Sequence, residues 1–216
     1  MFELKKAIKY FDRQLVLNSI DLFLPRGSIT AVLGSSGCGK TTLLRALAGL
    51  TKLDKGHLIQ PKEVRCSFIF QENRLLPWRN ALTNLTALGI DRDRALAELA
   101  TVGLGEDIDK LPEELSGGML RRLAIARALA YGGDVFFFDE PLQGLDINTS
   151  QIILPHIKSS LKGKTAFLIT HDPQEALTLA DRIIIAGGPP FYIIKDTPAA
   201  SYPDSDALAD AISTPW

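Results

Sequence analysis

Cysteine is scarce in this 216-residue sequence, which contains only Cys38 and Cys66. Two isolated cysteines argue against a disulfide framework and fit a reducing compartment. Neither sign of charge dominates, because 24 Lys and Arg residues against 25 Asp and Glu residues leave a net charge of −1. This balance gives no broad electrostatic footprint for nucleic acid or anionic lipid, and we expect no nucleic-acid partner.

Long apolar runs are also missing. No segment approaches the length that spans a bilayer, and residues 1–6 lack the apolar core of a signal peptide. We therefore expect a cytoplasmic protein that reaches a membrane only through a partner. Hydrophobic residues nevertheless make up 46% of the chain, which suits the core of one domain and makes a second independent domain unexpected.

The most informative stretch is a glycine-rich turn, here called the phosphate loop, which follows the apolar run 29–33. It matches the pattern G-x-x-x-x-G-K-[ST], and its backbone N–H groups, with the positive end of the following helix, make a cradle for phosphates. The residues assigned to nucleotide binding are Gly34, Ser35, Gly37, Cys38, Gly39, Lys40, Thr41 and Thr42. We predict that Lys40 reaches the β- and γ-phosphates and that the Thr41 hydroxyl is a ligand to Mg²⁺.

Polar side chains follow three further apolar runs that we predict to be buried strands. Gln71 follows the first, Asp139 and Glu140 close the second, and His171 follows the third. Ligands of parallel sheets bind at the carboxyl ends of strands, so these side chains are expected beside the phosphates. Asp139 is expected to hold Mg²⁺ and Glu140 to orient or deprotonate the attacking water. We assign Gln71 to both the metal and the catalytic group, and place His171 in reach of the γ-phosphate.

A second glycine-flanked helix start lies at Ser116, Gly117 and Gly118, before a predicted helix over residues 119–130. Such a helix start can bind an anion. The simpler interpretation is a helix cap, in which the Ser116 hydroxyl satisfies free N–H groups. A cap does not need two glycines after it, so the pattern favours anion binding.

The remaining segments give a coarse order of elements. Residues 2–24 predict short strands of an antiparallel flank, and Tyr10 or Phe11 can stack there on a purine base or simply pack in the strand. Residues 79–111 have helical periodicity. Residues 147–161 predict a helix that Pro155 should kink or divide. Strands are predicted at residues 64–70, 135–139, 165–170 and 182–185, and a weak helical patch at residues 207–212.

Together these segments resemble the ATP-binding subunit of an ATP-binding cassette (ABC) transporter. The resemblance is carried by the phosphate loop, Gln71, the signature Leu115-Ser116-Gly117-Gly118-Met119, Asp139, Glu140, Asp146 and His171. It implies an α/β fold, a P-loop NTPase (RecA-like) core with a mainly parallel sheet, an N-terminal antiparallel β flank and a helical subdomain insertion. A single ABC domain is expected over residues 1–216. Its predicted parts are a core at about 1–71 and 132–195, a helical subdomain at about 72–131 and a short C-terminal tail at 196–216.

The resemblance also implies ligands and partners. Two chains are expected to pair head to tail on ATP binding, with Ser116 and Gly118 of one touching the γ-phosphate held by Lys40 of the other, and with Gly117 and Asp146 among the nucleotide-binding residues. It implies ATP, Mg²⁺, ATP hydrolysis, an integral-membrane permease and an external solute-binding protein, with the chain on the inner face of the cell membrane. Residues 71–78 are similar to a segment of importers of the nitrate, sulfonate and taurine group, which favours import. The alternatives are an exporter ATPase and a soluble, non-transport ABC ATPase.

Overall fold

The computed structural model describes residues 2–214, which contain two sheets and seven α-helices. In chain order the elements are β1 (Phe2–Phe11), β2 (Gln14–Leu24), β3 (Ile29–Gly34), α1 (Lys40–Leu47), β4 (Lys55–Ile59), β5 (Cys66–Ile69), α2 (Ala81–Thr86), α3 (Arg92–Thr101), α4 (Gly117–Tyr131), β6 (Val135–Asp139), α5 (Ile147–Ser160), β7 (Thr165–Ile169), α6 (Pro173–Leu179), β8 (Arg182–Gly187), β9 (Tyr192–Pro198) and α7 (Ser205–Ser213). Residues 1, 215 and 216 of the predicted domain lie outside the described residues.

The larger sheet has the strand order β5-β6-β7-β3-β8-β9 and is parallel except for the antiparallel pair β8 and β9. Its central strands read as unbroken apolar runs because both faces of the sheet are covered. In β6, Phe136 and Phe138 enter the cluster beneath α4, α5 and α6, whereas Phe137 enters the cluster beneath α1 and the smaller sheet. The predicted strands at 135–139, 165–170 and 182–185 are confirmed.

The smaller sheet has the order β2-β1-β4 and is antiparallel, as predicted for the N-terminal flank. Its first two strands are long, 10 and 11 residues, so the prediction of several short strands was wrong. The strands continue through local irregularities where the alternation of apolar and polar residues is interrupted. Lys6 and Ser19 have positive φ, and the register shifts between residues 4 and 7. Asp12 and Arg13, both at positive φ, form the two-residue turn between the strands.

The helical segment is built from three helices around its own apolar cluster. Residues 79–111 do not form one continuous helix, because the turn at Gly89 separates α2 from α3. Helix α4 has two apolar faces: Leu123 and Ala126 pack with α2 and α3, whereas Ile125 and Leu129 pack against the larger sheet. The helix that begins at the signature is thus shared by both apolar layers.

Helix α5 is continuous through Pro155, so the proline does not divide the helix, and a kink, the other predicted alternative, stays a prediction. Ile153 and Ile157 are buried on either side of the proline, and their packing holds the two halves together. The predicted helical patch at residues 207–212 is confirmed as α7. Across residues 2–214, none of the helices combines the length and apolar character required to cross a bilayer.

Candidate active site

A cavity of about 420 Å³ lies where strands β3, β5, β6 and β7 end. It brings together residues that are up to 175 positions apart in the printed sequence, from Gln14 to Pro189. The predicted site residues that line it are Gly34, Gly37, Gly39, Lys40, Thr41, Thr42, Gln71, Asp139, Glu140 and His171. The lining residues that sequence analysis did not assign to a site are Gln14, Val16, Ser36, Gln143, Ile169 and Pro189. The carboxyl edge of the parallel sheet is therefore where the chemistry-bearing side chains converge.

The phosphate loop wraps around the side chain of its own lysine. The Lys40 ammonium donates hydrogen bonds to the carbonyl oxygens of Gly34, at 2.8 Å, and Ser35, at 2.9 Å. Gly39, at φ 110°, occupies the left-handed region as the loop enters α1, and the side chain of Cys38 is buried beneath the loop. The first N–H groups of α1 thus face the cavity with a lysine held beside them, an arrangement suited to an anion.

The carboxylate of Asp139 meets the hydroxyl of Thr41 at the floor of the cavity. Thr41 Oγ1 donates to Asp139 Oδ2 at 2.8 Å, and Asp139 is only 3% exposed. Burial raises the pKa of Asp139 above its usual range, although the hydrogen bond from Thr41 opposes that shift. A hydroxyl and a carboxylate oxygen side by side are hard ligands of the kind that Mg²⁺ prefers.

The chain turns at Glu140, so that its carboxylate lies beside His171 rather than beside Thr41. The φ of Glu140 is +54°, and its N–H donates to the carbonyl of Ile169 at 2.8 Å. The carboxylate Oε2 then lies 2.6 Å from Nδ1 of His171. The Glu140 side chain is 13% exposed and that of His171 is 66% exposed, so a mostly buried carboxylate is contacted by an imidazole that solvent can reach.

Comparisons with known proteins agree with this geometry. A family profile described as ABC transporter matches residues 17–143. The chain belongs to the ABC transporter family. The aliphatic sulfonates import ATP-binding protein SsuB 1 of Mesorhizobium japonicum is 42% identical over 92% of this chain and 80% of that protein. SsuB 3 of Pseudomonas syringae pv. syringae is 41% identical over 84% of this chain and 71% of that protein.

A solved structure of the ATP-binding cassette MJ0796 is similar to this ABC cassette over nearly its whole length. That structure is a dimer in a post-hydrolysis state bound to ADP and Pi. It has a TM-score of 0.83 at 27% identity and covers 92% of this chain and 99% of that one. The family and the P-loop fold class predicted from the sequence are confirmed, and the chain is an ATP-binding ATPase.

The signature of this ABC cassette lies away from the cavity. Ser116 is the N-cap of α4, and its hydroxyl accepts a hydrogen bond from the N–H of Met119 at 3.3 Å. Ser116 and Gly117 are exposed, and neither they nor Gly118 line the cavity. The cap is therefore present, and contact between the signature and a nucleotide stays a prediction that needs a second copy of the chain.

Five other predicted nucleotide-binding residues also lie beyond the cavity lining: Ser35 and Cys38 of the phosphate loop, Asp146, Tyr10 and Phe11. Asp146 caps α5, accepting from the N–H of Thr149 at 3.0 Å and from its hydroxyl at 2.6 Å, and these bonds lower the pKa of Asp146. Tyr10 and Phe11 end β1 and are 44% and 48% exposed. The Lys9 ammonium lies over the ring of Phe11, 5.2 Å from its centroid. Stacking of Tyr10 or Phe11 on a base stays a prediction.

Two buried charged residues of the ABC cassette escaped sequence analysis. Arg121 projects from α4 and Glu175 from α6, and each is nearly inaccessible to solvent. Burial raises the pKa of Glu175 to about 8, while a hydrogen bond from the Thr170 hydroxyl acts in the opposite direction. Glu175 follows His171 by four residues, and this spacing could have indicated that Glu175 lies near the site. Nothing in the sequence distinguishes the buried Arg121 from its neighbour Arg122.

Proposed function

We propose that this chain is the ATP-hydrolysing subunit of an importer for aliphatic sulfonates or chemically similar solutes. The observation that carries the ATPase part is the single cavity that holds Lys40, the Thr41 and Asp139 pair, and the Glu140 and His171 pair. The names of the relatives support the transport part, because they are import ATP-binding proteins for aliphatic sulfonates.

The roles follow from the geometry of these side chains. The N–H groups of the phosphate loop and the ammonium of Lys40 bind the β- and γ-phosphates. Thr41 and Asp139, with Gln71 in the same cavity lining, would hold Mg²⁺, which would supply charge to polarise the phosphate oxygens. Glu140 accepts a proton from a water placed for in-line attack, and His171 holds the carboxylate of Glu140 in position. The surrounding backbone keeps that carboxylate partly out of solvent, where its charge acts more strongly.

The same proposal includes partners. A head-to-tail dimer is supported by the exposed signature and by the dimeric state of the similar MJ0796 structure. A membrane permease is supported by the import function named for the relatives, and the exposed ring of Trp78, beyond the Gln71 loop, is available for such a contact. An external solute-binding protein completes the proposed importer, and the chain is peripheral on the inner face of the membrane.

Solute uptake tests the proposal. Cells that lack this chain should lose uptake of labelled ethanesulfonate, and the wild-type chain should restore it whereas Glu140→Gln should not. Labelled taurine and nitrate, measured in parallel, identify which solute of the group is carried. Unchanged ethanesulfonate, taurine and nitrate uptake without the chain would overturn the import function. Loss of efflux in its place would identify an exporter.

A further inference from the structure

Arg121 touches both loops that border the cavity, although it does not line the cavity itself. We infer that Arg121 is the positioning residue of Glu140, because its guanidinium fixes the backbone turn that aims the Glu140 carboxylate at His171. The inference deepens the proposed function and rests on the role proposed there for Glu140.

One side of the guanidinium holds the turn that follows β6. Nε of Arg121 donates to the carbonyl oxygen of Pro141 at 2.8 Å. Nη2 donates to the carbonyl oxygen of Asp139 at 3.0 Å and to that of Glu140. Three consecutive carbonyl groups thus converge on one side chain that is only 4% exposed, so water does not compete for these bonds.

The other side of the guanidinium holds the loop that carries Gln71. Nη1 of Arg121 donates to the carbonyl oxygen of Phe70 at 2.6 Å and to Oδ1 of Asn73 at 3.2 Å. With the three bonds to the turn, all five N–H groups of the guanidinium have acceptors. A lysine ammonium has only three donors at a single point and cannot span both loops.

The turn at Glu140 needs this support because its backbone is in a region that non-glycine residues rarely adopt, at φ +54°. The N–H of Glu140 is fixed by Ile169 of β7, and its carbonyl oxygen is fixed by Arg121. With both ends of the residue held, the side chain has one direction, toward His171. Removing the guanidinium takes a donor from the carbonyl groups of Asp139, Glu140 and Pro141. The carbonyl oxygen of Glu140 then keeps only the N–H of Gln143, at 3.1 Å, so the turn relaxes and the carboxylate is displaced.

The positive charge of Arg121 lies among the carboxylates of the site. Burial lowers the pKa of its guanidinium, and the neighbouring carboxylates of Asp139, Glu175 and Glu140 oppose that shift. None of these carboxylates makes a salt bridge with Arg121 among the described residues. Apart from the bond to Asn73 Oδ1, the guanidinium therefore donates to backbone carbonyls, as expected of a group that sets the path of the chain.

The substitution Arg121→Lys tests the inference, because it keeps the charge and removes the fork of donors. The kcat for ATP hydrolysis should fall about tenfold to a hundredfold, since small misplacements of a catalytic group have effects of that size. ATP affinity should change by less than about twofold, because Arg121 does not touch the phosphate loop.

Arg127→Lys is the matched control. Arg127 lies on the same helix and also donates to backbone carbonyls, those of Arg74 at 2.8 Å and Asn73 at 2.9 Å, but not to the turn after β6. It should retain kcat even where thermal stability falls. Equal losses of kcat in both variants would reduce Arg121 to a structural role and overturn the inference.

A double-mutant cycle completes the test. In the Glu140→Gln background, Arg121→Lys should cause no further fall in hydrolysis, because the carboxylate that it positions is already gone. An equal further fall there overturns the inference. Should the lysine variant not fold, Arg121→Gln, whose amide still donates to the turn, enters the same cycle with the same expectations. Normal hydrolysis by Glu140→Gln alone refutes the proposed role of Glu140, whereas normal hydrolysis by both Arg121 variants refutes only the present inference.

Discussion

Asp139 and Glu140 are adjacent carboxylates with different surroundings, and those surroundings assign them different tasks. Asp139 is the last residue of β6 and is buried against the hydroxyl of Thr41. Glu140 turns away through its positive φ and reaches the imidazole of His171. These positions suit the proposed roles, in which Asp139 is a metal ligand beside the phosphate loop and Glu140 is the base.

Glu140→Gln is expected to bind MgATP, hydrolyse it very slowly and accumulate as an ATP-bound dimer. The amide is nearly isosteric with the carboxylate but cannot accept the proton of the attacking water. Gel filtration with ATP and a phosphate-release assay measure the two properties. A monomer that releases phosphate at the wild-type rate would refute the assignment.

Glu175 gives a pH-dependent prediction. Its pKa is raised from 4.5 to about 8 by burial, so the unfolded chain releases this proton at lower pH than the folded one. Stability is therefore lost as pH rises from 4.5 to about 8, by roughly 4–5 kcal/mol. Glu175→Gln does not titrate, and its amide oxygen can still accept the hydrogen bond from the Thr170 hydroxyl.

Urea unfolding of wild type and Glu175→Gln between pH 5 and about 8.5 measures this difference. The wild-type curve should fall with pH relative to that of the variant, which should be the more stable protein near pH 8. The exposed Glu106→Gln serves as the control and should follow wild type. Parallel curves for wild type and Glu175→Gln would show that Glu175 is already ionised in the folded chain.

At the scale of elements, the sequence predicts those parts whose pattern is local. The buried strands β3, β6 and β7 are continuous apolar runs, and the phosphate loop is a contiguous motif, so both were predictable. The cavity walls from Gln14, Val16 and Pro189 were not, because distant segments meet there: the N–H of Phe191 donates to the carbonyl of Val16 at 2.8 Å. Sequence spacing carries no record of such a contact.

The burial of Arg121 was unpredictable for a related reason. Helix α4 packs on two sides, so its apolar residues show no single stripe, and its two adjacent arginines look alike in sequence. The path of α5 through Pro155 likewise depends on packing of its flanking isoleucines rather than on local propensity.

Substitutions of Ser116 distinguish the two interpretations of the start of α4, a helix cap and an anion-binding site. Ser116→Ala should lower stability by about 1 kcal/mol, the usual cost of a lost N-cap. Ser116→Asp keeps the cap, because aspartate is an equally good N-cap residue, but places a negative charge where the γ-phosphate of a second chain is expected. It should therefore fold normally and fail to dimerise with ATP.

Asp204→Ala is the matched control, since Asp204 caps α7 through the N–H of Ala207 at 2.9 Å. It should lose similar stability and keep hydrolysis. Chemical unfolding measures the free energy of unfolding that is lost with each cap, and light scattering with ATP measures whether the chain is a dimer. If Ser116→Asp dimerises with ATP and hydrolyses it normally, the proposed contact of Ser116 with the γ-phosphate is refuted and only its role as a helix cap remains.

At the scale of the whole molecule, the two helix starts that are predicted to bind anions do not face a common cavity. The start of α1 opens into the cavity, whereas the start of α4 is exposed beyond its lining. A two-fold dimer resolves this, because each copy can then offer its α4 to the cavity of the other, giving two equivalent composite sites.

Mixing two inactive variants tests whether the sites are composite. Lys40→Ala removes the phosphate contact of one helix start and Ser116→Asp blocks the other, so neither variant alone should hydrolyse ATP. In a mixed dimer, Lys40 of the Ser116→Asp chain and Ser116 of the Lys40→Ala chain meet at one intact site. If the chains pair at random, half of the dimers are mixed and each has one intact site of two, so activity should rise to about a quarter of wild type. If only mixed dimers form, it should rise to at most about half. A mixture as inactive as its components, although dimers form, would contradict the head-to-tail arrangement, because any site contained within one chain cannot be restored by exchange.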